Sequence, residues 1–229
     1  MLKKFAELVH EIGPIYLIPY LIHLGMTLIS GGRARIEAYL LMAQPVATKS
    51  FLPAHRGSSF SLVELGSNDP LLNQLPRPAR NINSRFLQGA HCLATLKDDQ
   101  LSGCIWLILD GYDEDTVRLH FQLPESGYCA WDFDVYVDPA HRMGPTFVKL
   151  WDGANAFLRE REIHWTLSRI SAFNRTSLSS HIRLGAKPIG NVMVLVLGPL
   201  EFMLSSCQPR LGISWKHQRI RLLLPNPAQ

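Results

Sequence analysis

Between residues 128 and 173 the hydrophobic pattern switches from strand to helix and back, and this constrains the fold more than any other feature of the chain. Residues 128–137 alternate, with Phe133, Val135 and Val137 on one face and Asp132, Asp134 and Tyr136 on the other. After Gly144 and Pro145, the residues Phe147, Leu150, Trp151, Ala154, Phe157 and Leu158 fall on one helical face. Residues 163–173 read as a strand again, and residues 175–184 as a helix stopped by Gly185. Strand, turn, helix and strand in that order must bury their apolar faces against one another. The expectation is an α/β or α+β domain with a mixed central sheet flanked by helices.

The rest of the chain fits that frame. Strands are expected over residues 35–43 and 60–65, with a linker over residues 46–58. Asp69 reads as a cap, with Pro70 at the first helical position, and a further helix is expected over 81–88. Residues 90–96 and 103–109 form a hairpin around Lys97-Asp98-Asp99-Gln100. Residues 116–123, 192–197 and 200–204 are further strands, the last two separated by Gly198-Pro199. The organisation expected is an N-terminal extension with the first strand (1–50), one main domain (51–206) and a basic C-terminal tail (207–229).

The extension is apolar. Phe5, Leu8, Val9 and Ile12 make one stripe on a short helix. From Ile12 to Ser30 there is no Asp, Glu, Lys or Arg, although Gly13, Pro14, Pro19 and Gly25 interrupt the run. Three readings fit. One is a helical hairpin packed on the domain or on a second copy, as in a homodimer. Another is a peripheral membrane contact through residues 1–32, with Lys3, Lys4, Arg33 and Arg35 as flanking cations. The last is a cleaved signal peptide ending near Ser30-Gly31-Gly32, against which Glu7 and Glu11 count.

Charge and cysteines narrow the function classes. The net charge of +4 equals the contribution of Arg210, Lys216, Arg219 and Arg221. A nucleic-acid binder spreads its basic surface over the fold, so that class is set aside. Cys92, Cys104, Cys129 and Cys207 include no C-x-x-C pair and no zinc spacing, which points to no metal site and to a reducing, cytoplasmic compartment. No G-x-S-x-G elbow, P-loop lysine motif or H-E-x-x-H is present.

Two stretches carry chemistry. Residues 137–146, Val-Asp-Pro-Ala-His-Arg-Met-Gly-Pro-Thr, run from a strand through a glycine-containing turn into a helix. Such a turn aims backbone N–H groups and the positive helix end at one spot, which suits a phosphate, and Arg142 adds a cation. Residues 174–186 follow the next strand. Asn174, Ser177, His181, Leu184, Gly185 and Ala186 match the pattern N-x-x-[AS]-x-x-x-Y-x-x-[LM]-G-[FA], with histidine in place of tyrosine. Val137 and Pro139, then His141, Gly144 and Thr146 in register, match V-x-P followed by R/Q-x-x-G-x-G/A, with Thr146 where Gly or Ala is usual.

Together these stretches resemble the GNAT acyltransferases over about residues 58–206. The resemblance implies a splayed mixed sheet, open between the strand of Val137 and that of Ile170. It implies transfer of an acyl group, acetyl first, from a coenzyme A thioester directly to an amine. Donor contacts would come from Val135, Val137, His141, Arg142, Met143, Gly144, Thr146, Asn174 and Ser177. Asp132 and Asp134 are the expected bases, and His181 the expected acid toward the leaving thiolate. Some relatives take the acyl group from acyl carrier protein to make N-acyl amino acids, which keeps acyl-ACP open as the donor. A non-catalytic GNAT-like binding domain is the rival from another class.

Overall fold

The computed structural model describes residues 14–53, 59–125 and 127–228. The helix expected over residues 3–12, Lys3, Lys4 and the Gly57 part of the linker lie outside them. The chain divides into two units that interleave in sequence. One holds residues 1–44, 113–124 and 167–229, and the other residues 45–112 and 125–166. These units replace the expected division into extension, domain and tail.

In the first unit, α1 (Pro14–Ser30) leads through Gly31 and Gly32 into β1 (Ala34–Pro45). Pro19 lies inside α1 and Gly25 does not break it, so the helix is continuous through both of these expected interruptions, while Gly13 lies outside the described residues. Tertiary contacts offset the lost backbone bond. His23 Nδ1 meets the Ile36 carbonyl at 2.7 Å. The Tyr20 ring stands edge-on to Phe173, centroids 5.4 Å apart. The Ser30 hydroxyl accepts from the Ala34 N–H at 2.7 Å and holds the turn. Ile18, Leu21, Ile22, Leu28 and Ile29 remain exposed. Among the described residues no helix is long and apolar enough to cross a membrane.

Four antiparallel strands follow in the order β11 (Leu211–Trp215), β10 (Leu200–Ser205), β9 (Lys187–Leu197), β1, and β8 (Trp165–Ser171) lies next to β1. Val192, Val194 and Val196 alternate inward on β9 while Met193 and Leu197 stay partly exposed, the two-residue period of a sheet with one covered face. Residues 207–229 are not a tail. Beyond β11, β12 (Ile220–Leu223) pairs in parallel with β6 (Leu119–Gln122), and Ile220 and Leu222 are buried. Arg219 donates to the carbonyls of Glu114, Val117 and Leu119 and to Asp113, so one of the four excess cations is structural.

A buried ion pair anchors this unit. Glu114 accepts from Arg169 at 2.9 and 2.6 Å and from the Thr116 hydroxyl at 3.0 Å. Burial alone would raise its carboxyl pKa, but the guanidinium and the Thr116 donors hold it below the usual carboxylate range.

The second unit is built on four antiparallel strands: β2 (Phe60–Leu65), β3 (His91–Lys97), β4 (Gln100–Ile108) and β7 (Cys129–Val137). The β3–β4 turn places Asp98 and Asp99 at φ 51° and 59°, the geometry of a two-residue hairpin whose twist suits the strands. One face carries α2 (Ala79–Leu87), whose Phe86 meets Trp106 edge-on at 5.1 Å. The other carries α3 (Thr146–Arg159), with Leu150, Trp151, Ala154 and Leu158 fully buried, as its apolar stripe predicts. The described part of the expected linker, residues 46–53, is docked on α3. Asp152 of α3 accepts from the Ser50 hydroxyl and the Phe51 and Leu52 N–H groups at 2.6, 2.6 and 3.1 Å.

Gly103 is where sheet and helix touch. A Cβ there would come within 2.6 Å of the Tyr136 carbonyl and 3.1 Å of Thr146 and Leu150 side-chain atoms. The first contact is with backbone, which cannot rotate away. Gly103→Ala is therefore expected to destabilise the protein by about 1–3 kcal/mol, seen as a lower urea midpoint at unchanged m-value.

Candidate functional site

Strand β7 does not keep the alternation its sequence suggests. Trp106 pairs with Phe133 and Cys104 with Tyr136, so Ile105 alone stands opposite both Asp134 and Val135. This is a β-bulge, and Asp134 occupies it with φ +48°. Phe133 and Tyr136 therefore share the Trp106 face. Asp132 and Val137, opposite Leu107 and Gly103, take the face that α3 covers. The expected pairing of Asp132 and Asp134 on one strand face is corrected: the extra residue reverses the alternation between them.

Asp134 is held by two guanidinium groups. Arg77 donates through Nε at 2.8 Å and through Nη2, and Arg85 through Nη1. Arg85 lies 5.2 Å from the Trp106 ring centroid and 5.3 Å from that of Phe133, so its charge is sandwiched between the carboxylate and aromatic faces. Burial would raise the Asp134 pKa, but the Arg77 hydrogen bonds and both cations hold it below the ordinary value. A carboxylate so bound has its lone pairs occupied and its basicity lowered, a poor starting point for the base role expected of it. Asp132 is buried on the other face. Sequence reading missed Arg77 and Arg85. The signal for Arg85 was present, since it sits on the apolar stripe of Ile82 and Phe86.

The loop expected to meet a phosphate is held by its own hydrogen bonds. Asp138 accepts from the Ala140 N–H at 2.9 Å and caps a single 3₁₀ turn, Pro139–His141. The Gly144 N–H donates to the His141 carbonyl at 3.0 Å, and Arg142 Nε donates to the Val137 carbonyl at 3.3 Å. Pro145 is the cap of α3 rather than its first helical residue, with no side-chain capping bond, and Thr146 follows. The first-turn N–H groups of a helix have no partner within the helix itself. Thr146 is fully buried, its hydroxyl has no hydrogen-bond partner among the described residues, and its methyl faces Gly103. Met143 is wholly exposed, and Val135 and Val137 are half-buried.

A cavity of about 680 Å³ opens beside this loop. Leu52, Phe60 and Lys97 bound it on one side, and His141, Gly144 and Thr146 on the other. The structure thus brings His141, Met143, Gly144 and Thr146 to one wall. A second cavity, about 740 Å³, is lined by Tyr128, Arg159 and His164 and contains none of the expected site residues.

The remaining expected residues lie in the first unit, on α4 (Arg175–Arg183). Asn174 caps this helix, its Oδ1 accepting from the Ser177 N–H at 3.0 Å. Gly185, at φ +95°, ends it, and the Ala186 N–H returns to the His181 carbonyl at 3.1 Å. Most of the motif is therefore a helix start and stop. His181 is buried, and desolvation lowers its pKa from the ordinary 6.5 to about 4. Its imidazole is neutral at pH 7, so it does not carry the proton that the expected acid role requires.

No family model matches the chain, and no curated protein matches it. Solved structures do. An acetyltransferase described as of the GNAT family from Novosphingobium aromaticivorans DSM 12444 superposes with TM-score 0.51 at 16% identity, covering 71% of this chain and 65% of that one. A glucosamine N-acetyltransferase region of a fungal multi-domain β-N-acetylglucosaminidase gives TM-score 0.50 at 10% identity, over 73% of this chain and 22% of that one. The chain thus spans less than two thirds of the length of either. At such identities the likeness shows the fold: a mixed α/β sheet structure of the GNAT type.

Burial of His181 has a consequence for stability. The unfolded chain binds a proton near pH 6.5, the folded imidazole only near 4, so acidification through that window favours unfolding. The contribution is fully present above about pH 6.5 and falls by roughly 3 kcal/mol on acidification to about pH 4. Urea denaturation at pH 7 and pH 4.5 is expected to show this loss in the wild type and a smaller one in His181→Gln.

Proposed function

We propose that the protein is an N-acyltransferase that moves an acyl group, acetyl first, from a coenzyme A thioester to an amine. The observation that carries this reading is the loop of residues 138–146. It joins a strand to the open N-terminus of α3, beside a cavity, on a chain with the GNAT fold. Backbone N–H groups at a helix start, with His141 and Arg142 near them, suit the pyrophosphate of the donor. A thioester carbonyl is electrophilic enough for direct attack by a neutral amine, so no protein nucleophile is required. The departing thiolate then takes a proton from solvent. Asp134 acts through its two arginines as the residue that holds the β7 bulge, and the proton of the incoming ammonium leaves to water.

The rival is a GNAT-fold binding domain without turnover. Its support is that Asp134 is committed to arginines and His181 is uncharged. Mass spectrometry of the purified protein with acetyl-coenzyme A, longer acyl thioesters and a pool of amines separates the two. N-acylated product dependent on the protein is expected. Donor binding with no product from any amine would select the rival, and product from acyl-ACP alone would move the donor to a carrier protein.

The expected membrane contact enters here in a narrower form. Helix α1 exposes Ile18, Leu21, Ile22, Leu28 and Ile29, with no charged residue from Pro14 to Gly32. An apolar side of this kind supports peripheral binding to lipid. The full chain is expected to sediment with anionic vesicles and the Leu28→Asp, Ile29→Asp double variant to stay in solution. Equal sedimentation of both removes this role.

A further inference from the structure

We propose that the uncovered face of the β9–β10–β11 sheet is the contact surface of a twofold homodimer, each copy seating the same face of the other. Neither the donor chemistry nor the lipid role given to α1 is needed for it.

Strand register builds this face. Leu197, Leu200 and Trp215 stand directly opposite one another across β9, β10 and β11, as do Leu195, Phe202 and Ile213, and Met193, Leu204 and Leu211. Directly opposed residues of an antiparallel pair share a face, and the two-residue period keeps successive rows on it. The result is three rows of three apolar side chains with no ionisable group among them. Leu211 and Ile213 are 72% and 67% exposed, Leu195 and Leu200 are half-buried, and the other five are at least 38% exposed.

The opposite face of the same strands is already covered. Gly212 lies so close to Ile220 of β12 that a Cβ on it would stand 2.9 Å from that side chain, and Ser214 accepts from Arg118 at 2.8 Å. Val194, Val196 and Met203 are buried on this side, and so are the polar Glu201, Ser205 and Ser214. The bare face is thus the more apolar of the two, the reverse of an antiparallel sheet with one solvated side. That reversal calls for an occupant.

Its size and shape fit a second copy. Taking roughly 200 Å² for a fully exposed large side chain, the bare face offers on the order of 700 Å². The largest apolar patch of an ordinary monomer is about 300–600 Å², and each partner in a standard interface contributes about 800 Å². A twofold axis sets one patch against itself, so an apolar sheet face needs no other complement, and the contact closes with two copies. Two sheets pack face to face about 10 Å apart with their strands about 30° from parallel. Phe202 stands at the centre of the rows, where a buried aromatic anchor contributes most. The cations lie at the ends: Arg210 adjoins Leu211, and Lys216 Nζ is 6.0 Å from the Trp215 ring centroid. Residues 202–229 contain no Asp or Glu. In a twofold pair these cations fall on the rim, where solvent and salt screen their repulsion. An anionic lipid surface would instead be held by them, so salt separates the two occupants.

Analytical ultracentrifugation of the full chain across micromolar concentrations, at low and high salt, tests this. The wild type is expected to be a dimer, no weaker at high salt. Phe202→Asp with Ile213→Asp places two carboxylates on each copy's face and should raise the dimer Kd by about a hundredfold or more. Leu211→Thr with Ile213→Thr keeps strand-compatible side chains at the two most exposed positions, and should weaken the dimer by about tenfold with cooperative unfolding retained. The Leu28→Asp, Ile29→Asp variant of α1 should dimerise as the wild type does. A monomeric wild type at the highest concentration overturns the proposal. So does a dimer that both sheet variants leave intact, or one lost in the α1 variant alone. A monomer that binds anionic vesicles through Phe202 and Ile213, with binding lost at high salt, assigns the face to lipid and overturns it as well.

Discussion

The clamp of Arg77 and Arg85 on Asp134 is the interaction on which the geometry of the second unit depends. A non-glycine residue in the left-handed region costs about 1–3 kcal/mol and persists only where its surroundings over-determine it. Here the surroundings are two cations, one of them stacked on Trp106 and Phe133. The clamp holds the bulge, and the bulge reverses the facing of everything after it on β7. Without the extra residue, Val137 would fall on the Trp106 face, and the chain would enter the loop on the α2 side. With it, Val137 stands opposite Gly103, and the chain turns toward α3. The ion-paired Asp134 carboxylate thus sets position on β7.

That turn toward α3 is what makes the loop chemically useful. Gly103 lets the Tyr136 carbonyl and the first turn of α3 come within contact of β4. The helix start is brought down onto the sheet, and Gly144, Pro145 and Thr146 line the cavity there. The proposed donor chemistry needs little else from the protein, since the thioester carries its own leaving group.

The first unit distributes charge differently. Its acids Glu37, Asp113, Glu114 and Glu201 are each ion-paired with an arginine of the same unit. Of the four C-terminal cations, Arg219 is therefore not spare charge on a loose tail. Arg219 in particular is bonded to three carbonyls. Local sequence could not show this, because the partners lie about a hundred residues upstream.

What the sequence determined by itself is the set of elements whose patterns are local. The stripe of α3, the alternation of β9, the Asp69 and Asn174 caps, the Asp98-Asp99 hairpin turn and the Gly185 stop all appear where side-chain period, capping chemistry and positive φ require them. The order of those elements was enough to indicate a mixed sheet with helices, and two short motifs pointed to the GNAT fold. Tertiary structure decided the rest. It carried α1 through Pro19, since contacts with Ile36 and Phe173 outweigh a missing backbone bond. It drew residues 211–223 into strands, separated Asp132 from Asp134 and made His181 neutral. It also set Lys97 beside the loop of residues 140–146. Each of these turns on which distant groups share a low-dielectric space, and that is set by how the strands pair and the helices pack on them rather than by any residue's neighbours in sequence.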